Sequence, residues 1–165
     1  MSVDAASSVS PVPDHLHTVT PRLVVSDGAA AIAFYAEAFG GEEIGERFAG
    51  PNGEVIHAEL RIGDSVVMIT QDTADEEPPA QSPRRLAGVV TAVMATYWND
   101  VDAAWKRAVA AGAEVVFPLA DQFYGERGGR LRDPFGQQWM LSQRIEDLSH
   151  EELNRRAAAF FSSTS

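Results

Sequence analysis

Apolar residues recur along this chain in two alternating rhythms. Residues 18–25 are largely β-branched and stop at Ser26-Asp27, which predicts a strand. Ile32, Tyr35, Ala36 and Phe39 then fall at i, i+3, i+4 and i+7, one face of a helix. Ser26 or Asp27 suits the start of that helix and Gly40-Gly41 its end. Residues 42–48 read as a strand. The turn Gly50-Pro51-Asn52-Gly53 follows, and then strands at 54–62 and 65–70, reversing at Gly63-Asp64. The unit is βαβββ.

The same order returns. Residues 89–98 predict a strand, and Asn99 or Asp100 caps a second helix with Ala104, Trp105, Ala108 and Ala111 on one face. Gly112 closes it, and 114–117 form a short strand. Residues 121–129 read as a polar, Gly-rich loop. Arg130-Leu131-Arg132 and 137–143 form a last hairpin around Asp133-Pro134-Phe135-Gly136, where Pro fixes φ and Gly supplies a positive φ. One offset of 72 positions carries Asp27 onto Asn99 and Gly40 onto Gly112 (99 − 27, 112 − 40). The expectation is an α+β fold built from a duplicated module: a disordered tail at 1–17, a module at 18–71, a linker at 72–88, a module at 89–144, and a C-terminal helix and tail at 145–165. Ser149-x-x-Glu152 predicts the start of that last helix, and Leu153, Ala157 and Phe160 give it an apolar stripe to pack on a partner or a sheet.

Alternation along the strands assigns faces. If Thr20 points inward, so do Arg22 and Val24, while Val19, Leu23 and Val25 face the helix. A two-residue turn at Gly63-Asp64 pairs Ile62 with Ser65, Glu59 with Met68 and His57 with Thr70. His57, Glu59 and Met68 thus share the inner face. In the second unit Val93, Ala95 and Tyr97 share a face, as do Gln138, Met140 and Ser142, whereas Trp98 and Trp139 face the helices.

Composition then narrows the chemistry. The chain has no cysteine, which excludes disulfides, thiolate metal sites and Cys nucleophiles. Its formal net charge is −11, a field that repels phosphate backbones, so no nucleic-acid partner is expected and a cationic ligand is favoured. No apolar run reaches membrane-spanning length. The N-terminus lacks a basic region followed by an apolar one, so a cytoplasmic location is expected. Gly-x-Ser-x-Gly is absent, and no serine stands at a motif spacing from His57.

His57 and Glu59 are the candidate catalytic pair, with His57 as a general base or polar anchor polarised by Glu59 or Arg22. The bland alternative is a hydrogen-bonded histidine at a sheet rim. Met68 and Met140 suit either adaptable core filling or a ligand platform. Tyr124, Glu126 and Arg127 lie in the Gly-rich stretch, which is either a lid or a solvated connection. His15 and His17 read as incidental to the tail.

The motifs VSD-x4-I-x-FY at the first helix, DVDAAW-x-RAVAAGA at the second and RDPFG before the last strand resemble the vicinal oxygen chelate superfamily, which holds glyoxalase I, bleomycin-resistance proteins, fosfomycin-resistance enzymes and extradiol dioxygenases. The resemblance covers residues 18–144. YGERGGRLRDPFGQQW followed by QRIEDLSHEELNRR is similar to the PhnB-like branch, although those relatives often carry His at Gln137 and near Gln143. The resemblance implies two curled sheets around a cavity, a homodimer, and in the metal enzymes four inner-face ligands. Those four positions fall here on Thr20, Met68, Val93 and Met140, which supply no imidazole or carboxylate for a hard divalent metal. Their neighbours Val19, Pro21, Val67, Ile69, Ala92, Met94, Trp139 and Leu141 do no better. The expectation is therefore a binder of a small cationic or aromatic molecule, drug or metabolite, with no metal or cofactor. Its pocket would be lined by Thr20, Arg22, His57, Glu59, Met68, Val93, Tyr97, Tyr124, Arg127 and Met140. The alternatives are a lyase, isomerase or dioxygenase with ligands placed elsewhere, metal-free acid–base chemistry by His57 and Glu59, and a dimer with no ligand.

Overall fold

The computed structural model describes residues 10–72 and 80–163, so the first part of the expected tail and part of the expected linker lie outside the described residues. The first module holds β1 (Arg22–Val25), α1 (Gly28–Phe39), β2 (Glu42–Ala49), β3 (Val55–Ile62) and β4 (Ser65–Gln71). The second holds β5 (Val93–Tyr97), α2 (Val101–Ala110), β6 (Glu114–Asp121), β7 (Glu126–Arg132) and β8 (Gln138–Arg144). A last helix, α3 (His150–Ser163), follows. Strand order is β1-β4-β3-β2 in one sheet and β5-β8-β7-β6 in the other. In each, the first strand runs parallel to the last and the rest are antiparallel. The architecture is α+β, two copies of one four-stranded mixed sheet with a helix on each.

The helices begin where the sequence says. Asp27 and Asp100 cap α1 and α2, their carboxylates accepting the N–H groups of Ala30 at 3.0 Å and Ala103 at 2.9 Å. The first hairpin keeps the expected register, with Ile62 opposite Ser65 and Glu59 opposite Met68. Leu23 and Val25 are buried against the helix side as alternation requires.

Three elements differ from expectation. β1 starts at Arg22, because Pro21 has no N–H to give the ladder and only its carbonyl pairs, accepting from Met68 N–H at 2.8 Å. β5 starts at Val93 rather than at 89; the preceding residues turn, with Ala87 and Gly88 both at positive φ. The stretch 121–129 is mostly strand. β6 runs on to Asp121 through Pro118, tolerated because β6 is a sheet edge with two register shifts, and only the turn before Glu126 separates it from β7. Gly128 and Gly129 are buried strand residues whose reason is packing. A Cβ at Gly129 would stand 2.7 Å from the Trp105 ring, and one at Gly128 would stand 2.9 Å from Ser142 Oγ. The lid reading of this stretch falls with them.

One core serves both modules. α1 packs on α2, and Phe34, Tyr35 and Phe39 of α1 meet Phe135 and Trp139 of the second module. Tyr35 and Trp139 are essentially inaccessible, and burying each such side chain stabilises the fold by about 1.5–3 kcal/mol. Ser149 caps α3, its Oγ accepting from Glu152 N–H at 3.2 Å. α3 buries no residue fully and leans on the β6–β7 turn through Phe160, whose ring lies 4.8 Å from that of Phe123. Among the described residues no helix is long and apolar enough to cross a membrane.

Candidate functional site

The turn at Asp133 joins the modules. Its carboxylate accepts from Tyr35 Oη at 2.8 Å, Trp139 Nε1 at 2.9 Å, and the backbone N–H groups of Phe135 and Gln137, both at 2.9 Å. Burial raises its pKa above the ordinary carboxylate value, and these four donors oppose the rise. Tyr35, desolvated beside that carboxylate, is held well above the ordinary phenol value. Gln137 Nε2 donates to Val24 carbonyl at 2.8 Å, a second tie across the junction. Gln143 Oε1 accepts the first N–H of α2, from Val101 at 3.1 Å. Both glutamines thus have structural partners. Beside this junction a cavity of about 340 Å³ separates β1 from the segment before β5, lined by Arg22, Val24, Leu86, Ala92, Met94 and Gln137 among others.

The inner face of the first sheet is charged. Glu59 lies at its centre with His57 Nε2 3.5 Å from Oε1. His15, from the N-terminal segment, lies 2.7 Å from Oε2, so the expected tail contributes a group to this face. Arg22 Nη2 donates to Ile56 carbonyl at 3.2 Å and does not pair with Glu59. Thr20 Oγ1 donates to His17 carbonyl at 3.1 Å. Met68 stands opposite both Arg22 and Glu59 in the ladder. The Phe48 ring lies 6.3 Å from that of His57 and is largely exposed.

The inner face of the second sheet is aromatic. A cavity of about 320 Å³ is lined by Phe117, Gln122, Tyr124, Gly128, Arg130 and Met140 among others. Arg130 lies opposite both Phe117 and Met140, its guanidinium 5.2 Å from the Phe117 ring centre. Tyr97 Oη donates to Glu126 Oε1 at 2.8 Å, which raises the Tyr97 pKa. Tyr124 is also raised, by burial first and then by Glu126, with Arg130 opposing. Val93 sits at the start of β5 opposite Gln138.

Arg127 belongs to the other face. It grips Asp102 of α2 through Nε and Nη2, and Asp121 through Nη1, at 2.8–2.9 Å. Those bonds hold its pKa above the ordinary guanidinium value. Alternation explains this, because β7 begins one residue earlier with Glu126 facing inward. Of the ten residues expected around one pocket, Arg22 lines the first cavity and Tyr124 and Met140 the second. The others line neither. Arg130, Phe117 and Asp133 are not among the expected pocket residues; a strand reading of 126–132 places Arg130 inward.

A matching family model decides the kinship: the glyoxalase/bleomycin resistance protein/dioxygenase superfamily, over residues 14–141. The chain belongs to that superfamily. It is 41% identical over 136 residues to uncharacterised proteins of Mycobacterium bovis and Mycobacterium tuberculosis, covering 82% of this chain and 88% and 79% of theirs. Among solved structures it is similar to TioX from Micromonospora (TM-score 0.61, 26% identity, 77% of this chain and 98% of that one). It is also similar to a superfamily enzyme from Burkholderia phytofirmans (TM-score 0.59, 23% identity, 75% and 95%), a likeness of fold. The four positions that the resemblance marks for the ligands of a metal enzyme hold Thr20, Met68, Val93 and Met140. The donor set does not fit a hard divalent ion: one hydroxyl already donates to a carbonyl, two groups are thioethers and one is a hydrocarbon. His15 and His57 both approach Glu59, but among the described residues no group of three His, Asp or Glu side chains is arranged to hold a metal ion.

Proposed function

We propose that the chain binds a small organic molecule on the inner face of its second sheet, without a metal or cofactor. The observation that carries this is the cavity of about 320 Å³ walled by Phe117, Tyr124, Met140 and Arg130. Apolar walls with few polar groups suit affinity from buried area and orientation from one or two contacts. Open aromatic residues on the inner faces, Phe48, Tyr97 and Phe117, each more than half exposed, support a second copy of the chain closing the site as a homodimer. The YGERGGRLRDPFGQQW stretch supports a PhnB-like relationship, and the absence of cysteine fits a cytoplasmic setting.

The test is a thermal-shift screen of aromatic and heteroaromatic molecules, since a ligand that binds only the folded state raises its stability. A reproducible rise for one chemical class is the expected result. A flat response across a broad panel contradicts the proposal. A second reading, acid–base chemistry on the first sheet, is favoured by Glu59 lying between His15 and His57. Metal analysis of chelator-free protein separates both from a metalloenzyme: stoichiometric Ni, Zn, Fe or Mn would favour the latter.

A further inference from the structure

Resting on that binding site, we propose that its ligand is a small organic anion, a carboxylate on a flat apolar body, held by Arg130. The net charge of the chain favours a cation, but the cavity wall carries the opposite sign. The Arg130 guanidinium lines the cavity over Phe117, and it has no carboxylate within ion-pair distance among the described residues. Its Nε is buried and lacks a hydrogen-bond partner. A buried donor left unpaired is costly, and a bidentate acceptor removes that cost. Arg127 on the same strand gives the contrast, since Asp102 and Asp121 already satisfy it.

Two acidic influences oppose an anion, and neither decides. Glu126 accepts from Tyr97 and lies four residues along β7 from Arg130, about 13 Å of extended strand. That backbone separation exceeds the screening length of about 8 Å at physiological salt, and the Glu126 carboxylate, which also acts on Tyr124, is already engaged by Tyr97. The charges behind the net −11 slow the approach of an anion, whereas the guanidinium acts at contact. Phe117, Tyr124 and Met140 supply a flat apolar wall, and a cavity of about 320 Å³ suits a body of one or two rings.

The experiment titrates the full chain with three probes of one shape, 2-naphthoate, 2-naphthamide and 2-naphthylmethylamine, by calorimetry. The acid is expected to bind at least tenfold more tightly than either analogue. Arg130→Gln should weaken the acid tenfold or more and the amide by a smaller factor, with an unaltered circular dichroism spectrum. Should that variant not fold, Arg130→Lys replaces it and should bind the acid at intermediate strength. An amide or amine that matches the acid, or an Arg130 variant that binds the acid as well as the parent does, overturns the anion while leaving the cavity as a binding site. Failure of all three probes at millimolar concentration overturns both.

Discussion

The two inner faces come from one duplicated module and have become opposites. The first sheet gathers a carboxylate and two imidazoles, Glu59 with His15 and His57, and these polar groups face one another. The second sheet gathers aromatic and thioether groups around an arginine with no acidic partner among the described residues. Their helix sides have stayed alike: each helix is Asp-capped, and each meets its sheet at one close glycine contact, Gly28 of α1 against Val55 of β3 and Trp105 of α2 against Gly129 of β7. Duplication fixed the packed side, where changes cost stability, and left the open side free to diverge. A self-paired face offers little to a ligand; an unpaired cation among rings offers both contact area and direction.

The largest expected effect lies at the junction that holds the two faces in register. Asp133→Ala would strand two side-chain donors and two backbone N–H groups, and should destabilise the fold by about 3–5 kcal/mol in urea unfolding. A loss below about 1 kcal/mol would mean that the modules do not depend on this carboxylate. Next come the paired glycines. Gly28→Ala and Gly129→Ala each drive a methyl into a neighbour, Val55 Cβ at 2.4 Å and the Trp105 ring at 2.7 Å, and each should cost about 1–3 kcal/mol. Similar losses would support equivalent packed sides, and a neutral result at one site would break the parallel.

How much of this is legible in the sequence depends on which side of a sheet is asked about. The 3.6 and 2.0 periods, the aspartate caps and the Gly63-Asp64 turn place the elements and the buried side, because burial imposes a period. The Glu59–Met68 register follows from the turn alone. The open side is harder. Residues 126–129 hold two charges and two glycines and carry no apolar alternation, so the first half of β7 reads as loop and Arg127 as a loop residue near the pocket. Asp133 reads as a turn former, because nothing local announces that Tyr35, 98 positions earlier, will donate to it. His15 reaches Glu59 across a separation of 44 positions, equally beyond local pattern.

Two smaller effects sharpen the asymmetry. α3 leans on the second module through Phe160 and is held by Arg156, which pairs with Glu146 and Glu152. Hydrogen bonds from Arg155 and Arg156 lower the Glu152 pKa from its ordinary 4.5 to about 2. A carboxylate depressed in the folded state contributes stability above its ordinary pKa, and that contribution fades as pH falls from about 4.5 through about 2. The helical NMR signals of α3 should therefore be lost across that window while the shared core stays folded; simultaneous loss would contradict it. Smallest of all, His15→Ala should cost under about 0.5 kcal/mol, because the pair it breaks with Glu59 is partly solvated.

The division of labour between the sheets is tested most directly by mapping 2-naphthoate onto the backbone amide spectrum of the full chain. The account predicts the largest perturbations at Phe117, Tyr124, Arg130 and Met140. Perturbations centred on His57, Glu59 and Met68, with those four unmoved, would contradict it.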